Sequence, residues 1–159
     1  MSLIVFGSIL SLNAQETPAK KEKTRALPSV EVKTTDAKTV NTSTFANDGK
    51  PIVICFWATW CKPCVEEMPT IKNAINSLKE QDIQFLFASD ESKEEIEAFD
   101  KEHQFGFNYV KTNNIEQFGI IGLPTTFIFD KEGKKIFSEM GYRKWDEKDN
   151  LDILFKSIK

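Results

Sequence analysis

Phe56-Trp57-Ala58-Thr59-Trp60-Cys61-Lys62-Pro63-Cys64, preceded by Ile52-Val53-Ile54-Cys55, is the stretch from which the rest of this chain is read. The unbroken apolar run Ile52 to Trp57 is the pattern of a central strand buried on both faces. After the cysteines, Met68, Ile71, Ile75 and Leu78 fall on one helical face, with Pro69 expected to kink that helix. Cys61 and Cys64 therefore stand where a strand has ended and a helix begins. A helix N-terminus carries unpaired N–H groups and a partial positive charge, so it stabilises an anion. A thiol placed there has a lowered pKa, and only the thiolate attacks a disulfide. Lys62 adds a full positive charge next door, and Pro63 suits the first helical turn, where its missing N–H costs nothing. Cys64, one turn further in, is expected to be more buried and to act as the resolving thiol.

Two other readings compete for the same pair. Half of a zinc site would need further ligands, and the chain offers only one more cysteine and a single histidine. A structural staple across so short a loop would add little stability, because the entropic gain grows with loop length. Redox exchange through a closing and reopening disulfide is the expectation.

A chain of 159 residues, 40% hydrophobic, can bury one good core and is read as one domain. Its net charge of -3 gives no nucleic-acid surface, and its 13 Phe predict a core built largely from that residue. Residues 1–14 read as a signal peptide: Leu3 to Leu12 is an apolar run too short to span a bilayer, and Asn13-Ala14-Gln15 offers a cleavage site. No Lys or Arg precedes the run, so the true start is expected upstream of Met1. Export would place the protein in the periplasm or outside, where disulfide traffic occurs; an uncleaved segment would tether it to a membrane. Residues 15–26 read as a flexible linker, and residues 27–159 as the folded domain.

Within that domain strands and helices alternate. Val30 to Thr34 alternates apolar and polar residues as an edge strand does, and a short hairpin leads on to the turn Asn47 to Pro51. Ile83 to Ala88 is a second central strand; Ser92-Lys93-Glu94-Glu95 resembles a capping box opening a helix with Ile96 and Phe99 inward. Phe107 to Val110 reads as a short strand, and Ile115 to Phe118 as a helical turn stopped by Gly119. Thr126 to Phe129 and Lys135 to Ser138 are strands joined by the hairpin turn Asp130-Lys131-Glu132-Gly133. Leu151, Leu154, Phe155 and Ile158 form the apolar stripe of a closing helix. His103 falls in register with the Ile96 stripe and is read as a partly buried structural residue. Before the strand at Thr126 stands Gly122-Leu123-Pro124-Thr125-Thr126. A proline there can be cis, and Leu123 would then offer backbone groups to an extended peptide; the alternative is an ordinary trans turn.

Together, Trp57 to Cys64, Pro69 and Gly122 to Asp130 resemble the thioredoxin superfamily, and more narrowly its exported TlpA/ResA-like thiol-disulfide reductases. The resemblance implies an α/β thioredoxin fold: a central mixed β-sheet flanked by helices, an N-terminal β-hairpin extension, and a central helix-strand insertion matching Ser92 to Val110. It implies a cis Pro124 and catalytic roles for Cys61, Cys64 and Glu67, the last taking the proton from the resolving thiol; otherwise Glu67 is a solvated helix residue like Glu66. Substrate contact is expected from Trp60, Lys62, Pro63, Leu123 and Pro124, with Trp57 and Trp60 shielding the thiols. Cytosolic thioredoxins carry a buried Asp at the position of Cys55, which is read here as a small apolar side chain rather than a partner for Cys64 under oxidation. Tyr142, Arg143 and Trp145 either shape a substrate surface or pack. No cofactor is implied beyond the Cys61–Cys64 disulfide itself. The implied partners are protein thiols and disulfides, including apocytochrome c cysteines, and a membrane electron donor of the thiol-disulfide interchange type, around a monomer. A peroxiredoxin-like peroxidase and a copper or other metal chaperone are the competing functions, and the reduction potential separates a reductase from an oxidase.

Overall fold

The computed structural model describes residues 31–34, 39–41 and 49–158. Signal-peptide and linker expectations for residues 1–26 lie outside those residues, as does the start of the Asn47 to Pro51 turn. Among these residues seven strands form one mixed sheet: β1 (Glu31–Thr34), β2 (Thr39–Asn41), β3 (Ile52–Phe56), β4 (Gln84–Ser89), β5 (Tyr109–Lys111), β6 (Thr125–Phe129) and β7 (Lys135–Met140), in the order β2-β1-β5-β4-β3-β6-β7. Among the described residues there are also three helices, α1 (Lys62–Ser77), α2 (Lys93–His103) and α3 (Lys148–Ile158), and a 3-10 turn at Glu116–Phe118. This is the thioredoxin fold with its N-terminal hairpin and its helix-strand insertion.

β3 holds the centre of the sheet. It pairs in parallel with β4, Ile54 opposite Leu86, and antiparallel with β6, Ile54 opposite Phe127. All five of its residues are buried, as a strand with helices or loops over both faces requires. Strand alternation sorts them into two cores. Val53 and Cys55 face helices α1, α2 and α3, joining Met68, Ile71, Ile96, Phe99 and Leu154. Ile52, Ile54 and Phe56 face the other way, onto Leu86, Val110, Phe127 and Phe129, and this side is covered by Ile115, Phe118 and Ile120 from the segment around the 3-10 turn. Gly119 at φ 76° ends that turn in the left-handed region, which glycine enters without strain.

Helix α2 opens as expected: Ser92 Oγ accepts from the Glu95 amide and the Glu95 carboxylate accepts from the Ser92 amide. Helix α1 runs through Pro69 without a break. No helix among the described residues is long and apolar enough to cross a membrane.

Several expectations need correcting. The segment read as an edge strand, β1, lies between β2 and β5; β2 is the outer strand. Alternating polarity marks a strand without fixing its place in the sheet, and β2 pairs antiparallel beyond it. Phe107 stands outside β5, its ring stacked on Phe87 at a centroid separation of 3.9 Å. Gly106 at φ 66° turns the chain just before it, and aromatic packing outweighs strand propensity there. His103 is exposed rather than partly buried, although its ring lies 4.2 Å from Phe99. On α3, Leu154 is buried and Leu151 packs at the core's margin, as read, but Phe155 is 41% exposed and Ile153 packs at the margin instead.

Candidate active site

The chain leaves β3 through a short bridge. Trp57 N–H still donates to the Ala88 carbonyl at 3.0 Å, so the strand pairing reaches one residue past β3 itself. Trp57 and Ala58 are buried, and the Trp57 ring packs 4.8 Å from Phe99 and 5.4 Å from Tyr109. The Cys61 amide then donates to the Ala58 carbonyl at 3.1 Å, which closes the turn and starts α1. Cys61 is the N-cap residue in extended geometry, with no side chain capping the helix, and its carbonyl accepts the first helical hydrogen bond from Val65 at 3.1 Å. Pro63 sits in the first turn. The sulfur of Cys61 thus lies beside uncapped amide groups, where negative charge is favoured.

Cys61 and Cys64 are joined by a disulfide, with their Cα atoms 5.3 Å apart. They are covered to nearly the same extent, 4% and 2% exposed. What distinguishes them is contact with an open groove. Cys61 lines an open groove of about 1300 Å³ together with Trp60, Lys62, Pro63, Ile121 and Leu123, whereas Cys64 is not among its lining residues. Trp60 is 75% exposed and Ile121 90%, so large apolar surfaces flank the groove on both sides. Trp60 therefore offers surface to a visitor more than it covers the sulfur, while Trp57 packs in the core against Phe99 and Tyr109. The Lys62 ammonium lies 3.7 Å from the Glu66 carboxylate in an exposed pair, so solvent screens much of its charge.

The Leu123–Pro124 peptide is cis. The Pro124 carbonyl accepts from the Gly141 amide at 2.8 Å, and Thr125 Oγ1 donates to the Gly122 carbonyl at 2.7 Å, so the segment is fixed on both sides. An added Cβ on Gly122 would meet Met140 Sδ at 2.6 Å; the glycine lets that side chain lie across the loop.

Behind the disulfide, Glu67 is only 2% exposed, unlike Glu66, so the solvated alternative does not describe it. Its spacing from Cys64 puts the two on one face of α1. Burial pushes its carboxyl up to about 7, against weaker downward pulls from the Trp145 indole N–H and from the backbone and guanidinium of Arg143. Trp145 Nε1 donates to Glu67 Oε1. Cys55, on β3, is 4% exposed. Burial and then the neighbouring Glu67 push its thiol well up, and Thr126 Oγ1 lies 3.9 Å from its sulfur. A thiol so placed stays protonated and packs as an apolar side chain.

The structure also assembles contacts that sequence reasoning did not anticipate. Glu91, beyond the end of β4, accepts from the Thr59 amide at 2.7 Å, from Thr59 Oγ1 at 2.6 Å and from Ser89 Oγ at 3.0 Å. One carboxylate therefore clamps the loop that delivers Trp60 and Cys61. Arg143, expected to shape a substrate surface or to pack, bonds to Asn150 and Glu139 within the fold. Trp145 is buried, whereas Tyr142 is 43% exposed.

The chain's similarities agree with this geometry. A model of the AhpC/TSA family matches residues 24–136. Thiol-disulfide oxidoreductase ResA of Bacillus thuringiensis subsp. konkukian is 30% identical, covering 98% of this chain and 91% of its own. The solution structure of an uncharacterized thioredoxin-like protein from Porphyromonas gingivalis superposes with a TM-score of 0.65 at 25% identity, over 82% of this chain and 88% of that one. A thiol:disulfide interchange protein from Bacteroides sp. shares the fold, with a TM-score of 0.70 at 22% identity over 84% and 88% of the two chains. A strand-to-helix cysteine pair beside a cis-proline loop, in a chain alignable almost end to end with such a relative, belongs to the AhpC/TSA family, among its thioredoxin-like thiol-disulfide oxidoreductases.

Proposed function

We propose that this protein is an exported reductase of protein disulfides that works through Cys61 and Cys64. The observation that carries the reading is the placement of the Cys61–Cys64 bond: one cysteine at an uncapped helix N-terminus on a groove, the other buried in the first turn of that helix, three residues before a buried carboxyl. In the reduced protein the Cys61 thiolate attacks one sulfur of a substrate disulfide. A Cys61–substrate disulfide forms, and the other substrate sulfur leaves as a thiolate that takes up a proton. Cys64 then gives its proton to the Glu67 carboxylate, and the new thiolate attacks the Cys61 sulfur. The second substrate thiolate departs and is protonated, and the Cys61–Cys64 disulfide remains. Two electrons have passed to the substrate and two thiols of the protein have been oxidised.

The groove supports substrate contact at Trp60, Lys62, Pro63 and Leu123. With the Pro124 carbonyl already engaged by Gly141, Leu123 is the residue whose backbone an extended peptide can pair with, Pro124 fixing its orientation. The family resemblance supports a place in keeping exported thiols reduced, with apocytochrome c cysteines as the expected substrate and a membrane dithiol donor returning the disulfide to its reduced state. No separate cofactor enters this cycle.

Reduction of a disulfide-bonded model protein, followed with a chemical reductant as recharger, tests the reading. Cys61→Ser and Cys64→Ser are each expected to abolish turnover while leaving the fold intact. Wild-type turnover by Cys61→Ser would end the proposal.

A further inference from the structure

Trp145 lies far from both sequence motifs, in the turn between β7 and α3, yet the fold brings it against the middle of α1. Its main-chain amide donates to Thr70 Oγ1 at 3.1 Å, and Thr70 Oγ1 in turn donates to the Glu67 carbonyl at 2.8 Å. The next residue is tied to the same helix by Asn73 Nδ2, which donates to Asp146 at 2.9 Å. Phe137 meets the indole edge-on at 5.9 Å. Backbone, neighbour and ring are thus all held, and the indole has little freedom left. Its N–H, a group that can only donate, is spent on Glu67 Oε1. Both residues are 2% exposed, so water does not compete for this bond.

We propose that Trp145 is a positioning residue for the resolving step: its indole N–H orients the Glu67 carboxylate and sets the pH range in which that group can take the Cys64 proton. The inference rests on the proposed role of Glu67 as the proton acceptor. A hydrogen bond from a neutral donor is stronger to an ionised carboxylate than to a protonated one. The bond therefore counters burial, which alone would hold Glu67 protonated and useless as an acceptor at neutral pH. The other groups that bear on Glu67 do this less directly. Arg143, from the same turn, adds weaker pulls in the same sense through its backbone and through a guanidinium that it shares with Glu139 and Asn150. Cys55, from β3, stays protonated: burial and then the Glu67 carboxylate push its thiol well up, so it carries no charge that bears on Glu67. Cys64, on α1 itself, is the proton's source.

Trp145→Phe removes the N–H and keeps a ring in the core. The ascending limb of the pH–rate profile for disulfide reduction is expected to move up by about one to two pH units, the size of one hydrogen bond to a charged group. Reduction near pH 7 would fall by roughly five- to fiftyfold and recover in alkali. Glu67→Gln should remove that limb, and adding Trp145→Phe to it should change nothing more. If Glu67→Gln leaves the limb in place, the role given to Glu67 fails. If Glu67→Gln removes it while Trp145→Phe superposes on the wild type, the role given to Trp145 fails alone. A measurement on the unaltered protein needs no folded variant at this site: the Trp145 indole N–H resonance should titrate with a midpoint near 7, the value expected for Glu67. An indole resonance that stays fixed from acid to alkaline pH overturns the proposal.

Discussion

Replacing Glu67 by Gln should make this protein more stable in alkali and less active, and the size of the gain can be worked from the site. The carboxyl is 2% exposed and is raised from an ordinary 4.5 to about 7, chiefly by burial. A raised carboxyl means that the folded chain holds its proton more tightly than the unfolded chain does. Between those two pH values the folded state binds more protons, so stability falls as pH rises. Below the lower value both states are protonated and nothing is lost; above the upper one both are ionised and the whole cost stands. At about 1.4 kcal/mol for each tenfold change in proton affinity, the cost is about 3 kcal/mol. That is a large part of the roughly 5–15 kcal/mol by which domains are stable. Gln is uncharged, and its carbonyl oxygen can still accept from the Trp145 indole. Its amide hydrogens introduce a buried donor whose cost does not vary with pH, so the informative quantity is the difference between variant and wild type as pH changes. Urea unfolding of both oxidised proteins at intervals from pH 4.5 to 8.5 measures it, with the disulfide intact so that no active-site thiol titrates. The difference should grow by about 3 kcal/mol in favour of Gln, mostly between pH 5 and 7. A difference that is flat over this range would refute the claim that burial holds Glu67 in its proton-retaining state.

Other consequences follow from the same contacts. Glu91→Ala removes the acceptor for the Thr59 amide, Thr59 Oγ1 and Ser89 Oγ, and should cost about 2 kcal/mol; faster hydrogen exchange at the Thr59 amide checks it, and unchanged exchange there sinks the clamp. Ser92→Ala breaks the capping box of α2 and should lower the thermal midpoint by a few degrees while disulfide reduction proceeds at the wild-type rate. The reduction potential of the Cys61–Cys64 pair should lie at about −200 mV or below, in the range of glutaredoxins and thioredoxin; a value near −120 mV, that of a strong oxidant, would reverse the proposed direction of electron flow.

The parts of the fold legible in the sequence were those with strong local signals. Ile52 to Phe56 could be read as a central strand because burial on both faces leaves no polar position in it. The Ser92–Glu95 box and the stop at Gly119 are local chemistry, complete within a few residues. Cys61 and Cys64 were legible as a pair for the same reason, since a helix start places them together without help from the rest of the chain. Contacts made by distant segments were not legible. Glu91 reaches Thr59 only because β3 and β4 run parallel in the register that sets Phe56 opposite Ala88. Trp145 reaches Glu67 only because the turn before α3 folds back over α1. The misplacement of Phe155 and His103 has another cause. A helix periodicity names a face, but which residues at its margin meet the core depends on how the helix is rolled against the sheet.

The most direct measurement is to react a reduced Cys64→Ala variant with a disulfide-bonded protein and map the captured link by mass spectrometry. The account predicts a stable mixed disulfide on Cys61, persisting because no resolving thiol is left to release it. A link found on Cys55 instead, or no capture while the variant remains folded, would contradict the assignment of Cys61 as the attacking sulfur.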